Sequence, residues 1–261
     1  MLLHIAIQAA IASGKAVLDL YQKHDIHIAY KADESPVTEA DMAANEIIKK
    51  HLLPSQLPIV SEETTAPPYA VRQSWEKYWM IDPIDGTKEF INKTDDFTIN
   101  IALVEQNYPV IGVIYLPVFD VLYFSLQNKG AYKLERASVY SREADVFSYS
   151  QSLPLQKTEN YTVLISRSHP DTATDRLIQD LKSIYDNLTL LARGSSLKFC
   201  LLAEGLADIY PRLMPLNEWD VAAGIAIADA SGAKIYHPDT KAPLTFNTPN
   251  LMAAPFIVER G

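Results

Sequence analysis

The chain has 261 residues, 48% hydrophobic and 21% charged, which suits a globular protein long enough to bury a large core. Its 23 basic and 32 acidic residues leave a formal charge of −9, the opposite of the basic stripe that a nucleic-acid polymer requires, so that partner class is excluded. A single cysteine, Cys200 in the apolar run Phe199-Cys200-Leu201-Leu202, rules out an intramolecular disulfide and points to a reducing compartment.

From Met1 the apolar residues keep helical spacing through Ala16, Val17, Leu20 and Tyr21, and the basic n-region of a signal peptide is missing, so a first helix is expected here. No run approaches the roughly 18 consecutive apolar residues of a membrane span. A chain without a transmembrane segment is the expectation; cytoplasmic residence fits it, and peripheral association with the inner membrane is compatible. Residues 31–36 (KADESP) read as a loop, and Thr38 is a good N-cap for a helix reaching about Leu53, with Ala44, Ile47, Ile48, His51 and Leu52 on one face.

Residues 57–60 and 78–81 are short apolar strands, each followed by acidic residues. Residues 97–104, 110–116 and 121–126 form successive antiparallel strands, separated by Asn107-Tyr108-Pro109 and by residues 117–120. The second half changes character, with strands at 161–166, 188–192 and 208–210 and helices at 171–184, 195–204 and 220–230, the last ended by Gly232. The polar stretch 142–160 is the join. Residues 1–150 are thus an α+β half with an antiparallel meander, and residues 151–261 an α/β half.

The stretch richest in chemistry is Trp79-Met80-Ile81-Asp82-Pro83-Ile84-Asp85-Gly86-Thr87. Pro83 fixes one dihedral and Gly86 permits a tight turn, so Asp82 and Asp85 can converge beside the Thr87 hydroxyl. Hard oxygen ligands of this kind suit Mg²⁺. Alone, the motif reads equally as a solvated acidic turn. Ser61-Glu62-Glu63 and Trp219-Asp220 add acids that singly are a surface carboxylate and a charge at a helix N-terminus. Taken together, Glu62, Asp82, Asp85 and Asp220 have no basic neighbour in sequence and would repel one another unless cations neutralised them.

In these segments the sequence resembles the inositol monophosphatase superfamily, most closely its CysQ-type 3′(2′),5′-bisphosphate nucleotidase branch. The matching segments are Tyr30-Lys-Ala-Asp33, Ser35-Pro-Val-Thr38-Glu-Ala-Asp41, Ser61-Glu-Glu63, Asp82-Pro-Ile-Asp-Gly-Thr-Lys-Glu-Phe-Ile91, Ser166-Arg-Ser-His169, Gly194-Ser-Ser-Leu-Lys198 and Trp219-Asp220, in family order. One departure is Ser61, where many members carry Gly.

The resemblance implies a layered αβαβα sugar-phosphatase fold and hydrolysis of adenosine 3′,5′-bisphosphate to AMP and phosphate, with the sulfated nucleotide as a further candidate, in sulfur assimilation or nucleotide recycling. It also implies about two or three Mg²⁺ ions and sensitivity to Li⁺. Glu62, Asp82, Asp85, Asp220 and the Ile84 carbonyl become metal ligands, with Glu62 also counted among the catalytic groups. Asp41 and Thr87 orient and activate the attacking water, although Asp41 also reads as a capping-box acid three residues after Thr38. Gly86, Thr87, Lys88, Ser166, His169, Gly194, Lys198 and Asp220 are the implied substrate contacts; His169 has an alternative as a loop histidine and Lys198 as a solvated helix residue. Two other readings share the metal motif. An inositol monophosphatase would lack a use for the GSSLK and SRSH segments, and a silent nucleotide-binding protein would not need Asp41 and Thr87.

Overall fold

The computed structural model describes residues 1–23, 28–30, 36–140, 143–167 and 171–261. His169, and the expected loop at 31–36 apart from Pro36, lie outside the described residues. Helices α1 (Leu2–Tyr21) and α2 (Glu39–Leu52) flank the short antiparallel pair β1 (Ile28–Tyr30) and β2 (Pro36–Thr38). By length and composition α1 could cross a membrane, yet Leu3, Ala6, Ile7, Ala10 and Val17 are buried, and it packs on α2 and the neighbouring sheet as a core helix.

That sheet has seven strands, β3 (Ile59–Ser61), β4 (Lys77–Asp85), β5 (Thr98–Glu105), β6 (Tyr108–Leu116), β7 (Val121–Leu126), β8 (Gly130–Glu135) and β9 (Gln151–Ser152), paired in chain order. Only β3 and β4 run parallel; the rest form the expected meander, extended by β8 and β9. Strand β4 continues past Ile81 because Pro83 and Ile84 fit a bulge between the Asp82–Asn100 and Asp85–Thr98 pairs. A bulge tolerates the missing proline N–H. Short helices α3 (Tyr69–Arg72), α4 (Thr87–Ile91) and α5 (Glu143–Tyr149) sit in the connections.

The second half contains α6 (Thr172–Ile184), α7 (Leu197–Glu204) and α8 (Glu218–Ala230) with strands β10 (Tyr161–Ser166), β11 (Leu188–Arg193), β12 (Ile209–Arg212), β13 (Leu216–Asn217), β14 (Lys234–Tyr236), β15 (Met252–Ala253) and β16 (Phe256–Glu259). Five strands make a sheet in the order β11-β10-β12-β16-β14, while β13 pairs with β15. Strands β10, β11 and β12 are parallel, as the α/β reading requires, and β16 lies antiparallel between β12 and β14.

Strand alternation explains the layering. Trp79, Ile81, Ile101, Leu103, Val113 and Phe124 face α1 and α2, whereas Tyr78, Met80, Ala102, Val104, Ile114 and Tyr123 face α7 and α8. Because both faces are covered, these strands read as unbroken apolar runs. Helix α8 crosses the first sheet so closely that a Cβ on Gly112 would stand 2.3 Å from the Ala223 carbonyl oxygen. The second sheet covers α7 and α8 through Tyr210 and Phe256, and its outer face packs α6 through Val163, Ile178, Leu181 and Ile257. Helices, sheet, helices, sheet and helix therefore stack in the αβαβα order.

Candidate metal centre and anion cleft

The parallel pairing of β3 with β4 places Ser61 beside Ile81, so the next residues come side by side, Glu62 just past the end of β3 and Asp82 still within β4. The Glu62 N–H donates to the Ile81 carbonyl at 3.2 Å, and the Ser61 hydroxyl donates to buried Asn45 of α2 at 2.7 Å. Asp220 arrives from the other half of the chain on the first turn of α8. Glu62, Asp82 and Asp220 each bring a carboxylate oxygen within 4.8 Å of the other two.

Charge crowding defines this group. Asp82 is 1% exposed, and its Oδ1 has no hydrogen-bond partner among the described residues. Burial first, then the charges of Glu62, Asp85 and Asp220, push its carboxyl well above the usual range. Asp220 is raised likewise, by burial and then by Asp85 and Glu62. Three acids around an orphaned buried oxygen fit a hard divalent cation, whose charge and oxygen preference answer both features.

Asp85 lies next to this trio but outside the 4.8 Å set. Burial pushes it up to about 6, opposed by the Lys198 charge and the Ser196 N–H, which donates to its Oδ2. A buried polar pin holds that donor: the Ser196 hydroxyl donates to Asn100 Oδ1 at 2.6 Å and lies 2.7 Å from the Thr98 hydroxyl. Thr98 and Asn100 are the β5 partners of Asp85 and Asp82, so a single strand organises both carboxylates.

Asp41 and Asp220 share a design. Each is the third residue of a helix and closes a capping box, Asp41 accepting from the Thr38 N–H at 2.8 Å and Asp220 from the Asn217 N–H at 3.0 Å. One oxygen anchors each acid to its helix start. Capping and site chemistry are therefore compatible at both positions. The Thr87 hydroxyl, carried into place by Gly86 with φ +94°, is 3.4 Å from Asp41 Oδ1 and 3.4 Å from the Ile84 carbonyl.

Glu62, Asp82, Ile84, Asp85, Gly86, Thr87, Lys88, Ser166, Gly194, Lys198 and Asp220 all line one cleft of about 280 Å³. Asp41 stands behind Thr87 at 1% exposure. Lys198 is no solvated helix residue: it is 5% exposed, donates to the Ser195 carbonyl at 2.6 Å and to that of Arg193 at 3.4 Å, and burial lowers its ammonium to about 8. Gly194 leaves room for the Glu89 side chain, whose carboxylate would stand 2.7 Å from a Cβ there and would have to shift.

The sequence reading missed Arg212. It lines the same cleft from β12, is 7% exposed, and its Nε has no hydrogen-bond partner among the described residues. The available signal was an arginine closing the otherwise apolar strand Ile209-Tyr-Pro-Arg212. Cys200, by contrast, is fully buried with its thiol pushed well up by that burial, which keeps it inert.

A family model described as the inositol monophosphatase family matches residues 1–260. The 3′(2′),5′-bisphosphate nucleotidase CysQ of Salmonella typhimurium is 44% identical over 235 residues, covering 88% of this chain and 87% of that protein. Its counterpart from Buchnera aphidicola is 40% identical over 231 residues, covering 87% and 81%. The crystal structure of CysQ from Bacteroides thetaiotaomicron, described as a bacterial member of the inositol monophosphatase family, superposes with a TM-score of 0.91 at 41% identity over 99% of this chain and 96% of that one. In its sequence, its layered fold and the acids gathered at one sheet edge, this chain belongs to the inositol monophosphatase family.

Proposed function

We propose that this chain is a Mg²⁺-dependent 3′(2′),5′-bisphosphate nucleotidase that removes the 3′-phosphate of adenosine 3′,5′-bisphosphate. The observation that carries the reading is that one cleft holds both the acidic cluster and two buried cations, Lys198 and Arg212. An enzyme for small sugar-alcohol phosphates needs the first; a nucleotide carrying a second, unreacting phosphate needs both. The names of the relatives at 40% and 44% identity support the same substrate.

Glu62, Asp82, Asp85, Asp220 and the Ile84 carbonyl would hold the metal. Bound there, Mg²⁺ supplies positive charge to the phosphoryl oxygens and favours ionisation of the attacking water. The protein does the rest. Thr87 orients the water, and Asp41, reached by the Thr87 hydroxyl, takes its proton. Water attacks phosphorus directly, the bond from phosphorus to the ribose O3′ breaks with its electron pair going to O3′, and O3′ takes a proton from solvent water to leave as the alcohol. Two of the three Lys198 donors are used by backbone carbonyls, which fixes the ammonium and leaves one N–H for the 5′-phosphate. Arg212 presents its guanidinium to the same anion; Ser166, Lys88 and His169 complete the nucleotide contacts.

The test is phosphate release from adenosine 3′,5′-bisphosphate, its sulfated form and inositol 1-phosphate, with and without Mg²⁺. The bisphosphate should be hydrolysed fastest and only with the metal; preference for inositol 1-phosphate would reject the nucleotide reading. Li⁺ at millimolar concentration should reduce the maximal rate more than it raises KM, because a monovalent ion in a Mg²⁺ position brings too little charge. Full rate at saturating Mg²⁺ and millimolar Li⁺ would contradict this metal arrangement.

A further inference from the structure

Behind the cleft, a second buried polar network has no direct part in the proposed chemistry. Glu218, the first residue of α8, is 0% exposed, and its carboxylate accepts from the Asn247 N–H at 2.7 Å, the Thr248 N–H at 2.8 Å and the Thr248 hydroxyl at 2.6 Å. Asn247, 4% exposed, passes the connection on: its Oδ1 accepts from Arg72 Nη1 at 2.7 Å, and its Nδ2 donates to the Arg72 carbonyl at 2.7 Å. Arg72, 2% exposed, also donates to the Pro249 carbonyl at 2.7 Å and the Pro67 carbonyl at 3.2 Å.

The two ends of this chain of bonds matter. Glu218 precedes Asp220 by two residues on the same helical turn, and Arg72 closes α3 within the connection from Glu62 to Glu76 that joins β3 to β4. Glu62 and Asp220 come from distant parts of the sequence and share no backbone pairing, yet their oxygens sit within one 4.8 Å group. Buried hydrogen bonds with defined donors and acceptors hold a geometry that apolar packing alone would leave adjustable.

We propose that Glu218 is a positioning residue: through Asn247 and Arg72 it forms a buried clamp that sets Asp220 against Glu62, and thereby the divalent-cation affinity of the acidic cluster. The inference rests on the metal reading given above. Partners that orient a metal ligand typically carry about 10-fold or more in metal affinity. Glutamine at 218 keeps the shape but offers one acceptor oxygen in place of two, turning its amide toward a backbone N–H.

The experiment is calorimetric titration of metal-free protein with Mn²⁺ as the probe, using wild type, Glu218→Gln, Asp220→Asn and the double variant. Glu218→Gln should weaken the cation by about 10-fold while the far-ultraviolet circular dichroism is retained, and should add nothing once Asp220 is Asn. Wild-type affinity in Glu218→Gln, or an equal further loss in the Asp220→Asn background, overturns the clamp. Should Glu218→Gln not fold, Thr248→Val removes the hydroxyl that donates to Glu218 and accepts from the Met252 N–H, leaves the two backbone donors to Glu218 in place, and must show the same dependence on Asp220, with a loss of about threefold. A wild type that takes up no Mn²⁺ rejects the metal reading itself, which is a different result from equal binding by wild type and variant.

Discussion

Asp82→Asn should lower turnover by roughly 10³-fold or more, since a metal centre supplies several kcal/mol of transition-state stabilisation. The metal-free protein should nonetheless melt at the same or a higher temperature at neutral pH. Asp82 is the cleaner position for this test than Asp85, whose charge is already met by Lys198 and the Ser196 N–H. The charges that raise Asp82 are all those of other acids, and its Oδ1 has no partner among the described residues, so an amide there removes repulsion and can donate to Glu62. Paired assays of phosphate release and thermal melting check both halves; a variant that loses stability and activity together would contradict the repulsion argument.

The same crowding fixes the sign of a pH effect. A carboxyl whose folded-state pKa is raised binds its proton more tightly folded than unfolded, so its contribution to metal-free stability is fully present at low pH and declines as pH rises between the two values. For Asp85 that window runs from 3.8 to about 6, and the upward shifts of Asp82 and Asp220 act in the same direction. Two units for Asp85 correspond to about 3 kcal/mol, several degrees in melting temperature for a chain of this size. Mg²⁺ added at neutral pH should restore the loss. A metal-free melting temperature that rises steadily from pH ~4 to pH ~7 would show that the acids are not mutually destabilising.

Lys198→Ala should cut kcat/KM for adenosine 3′,5′-bisphosphate by roughly 10- to 150-fold, the equivalent of about 1.5–3 kcal/mol for a hydrogen bond to a charged group. A small phosphate monoester has no second phosphate to feel the missing ammonium, so its kcat/KM should change far less. Damage to the metal centre would depress both substrates alike. Burial adds a pH signature, because an ammonium lowered to about 8 loses its charge above that pH. The wild-type ratio of bisphosphate to monoester kcat/KM should therefore fall as pH passes 8, and the ratio for Lys198→Ala should stay flat. An unchanged ratio in the variant would return the sugar-alcohol phosphatase reading to first place.

How far the site was legible depended on whether its chemistry was local in sequence. Asp82, Asp85, Gly86 and Thr87 were readable because one strand and one glycine turn hold them together, and the meander was readable because its strands are long and joined by short turns. Strand β4 was cut short in the reading because Pro83 normally ends a strand; only its pairing with β5 reveals the bulge. Strands β14 and β16, of 3 and 4 residues, are too short to establish an alternation and exist through their pairing with β12 and each other. Arg212 stayed hidden because its meaning depends on the cleft it closes, formed by segments more than a hundred residues apart. The Glu218 clamp was invisible for the same reason: Arg72 and Asn247 meet only through the fold.

In the proposed reaction one cleft divides the labour, with the acids directing attack on one phosphate while Lys198 and Arg212 retain the other. Phosphorus NMR of the products from adenosine 3′,5′-bisphosphate tests it most directly. The predicted result is orthophosphate and adenosine 5′-monophosphate in equal amounts, formed with Mg²⁺ and not in excess chelator. Adenosine 3′-monophosphate as the product, or the same yield with the chelator present, would contradict it.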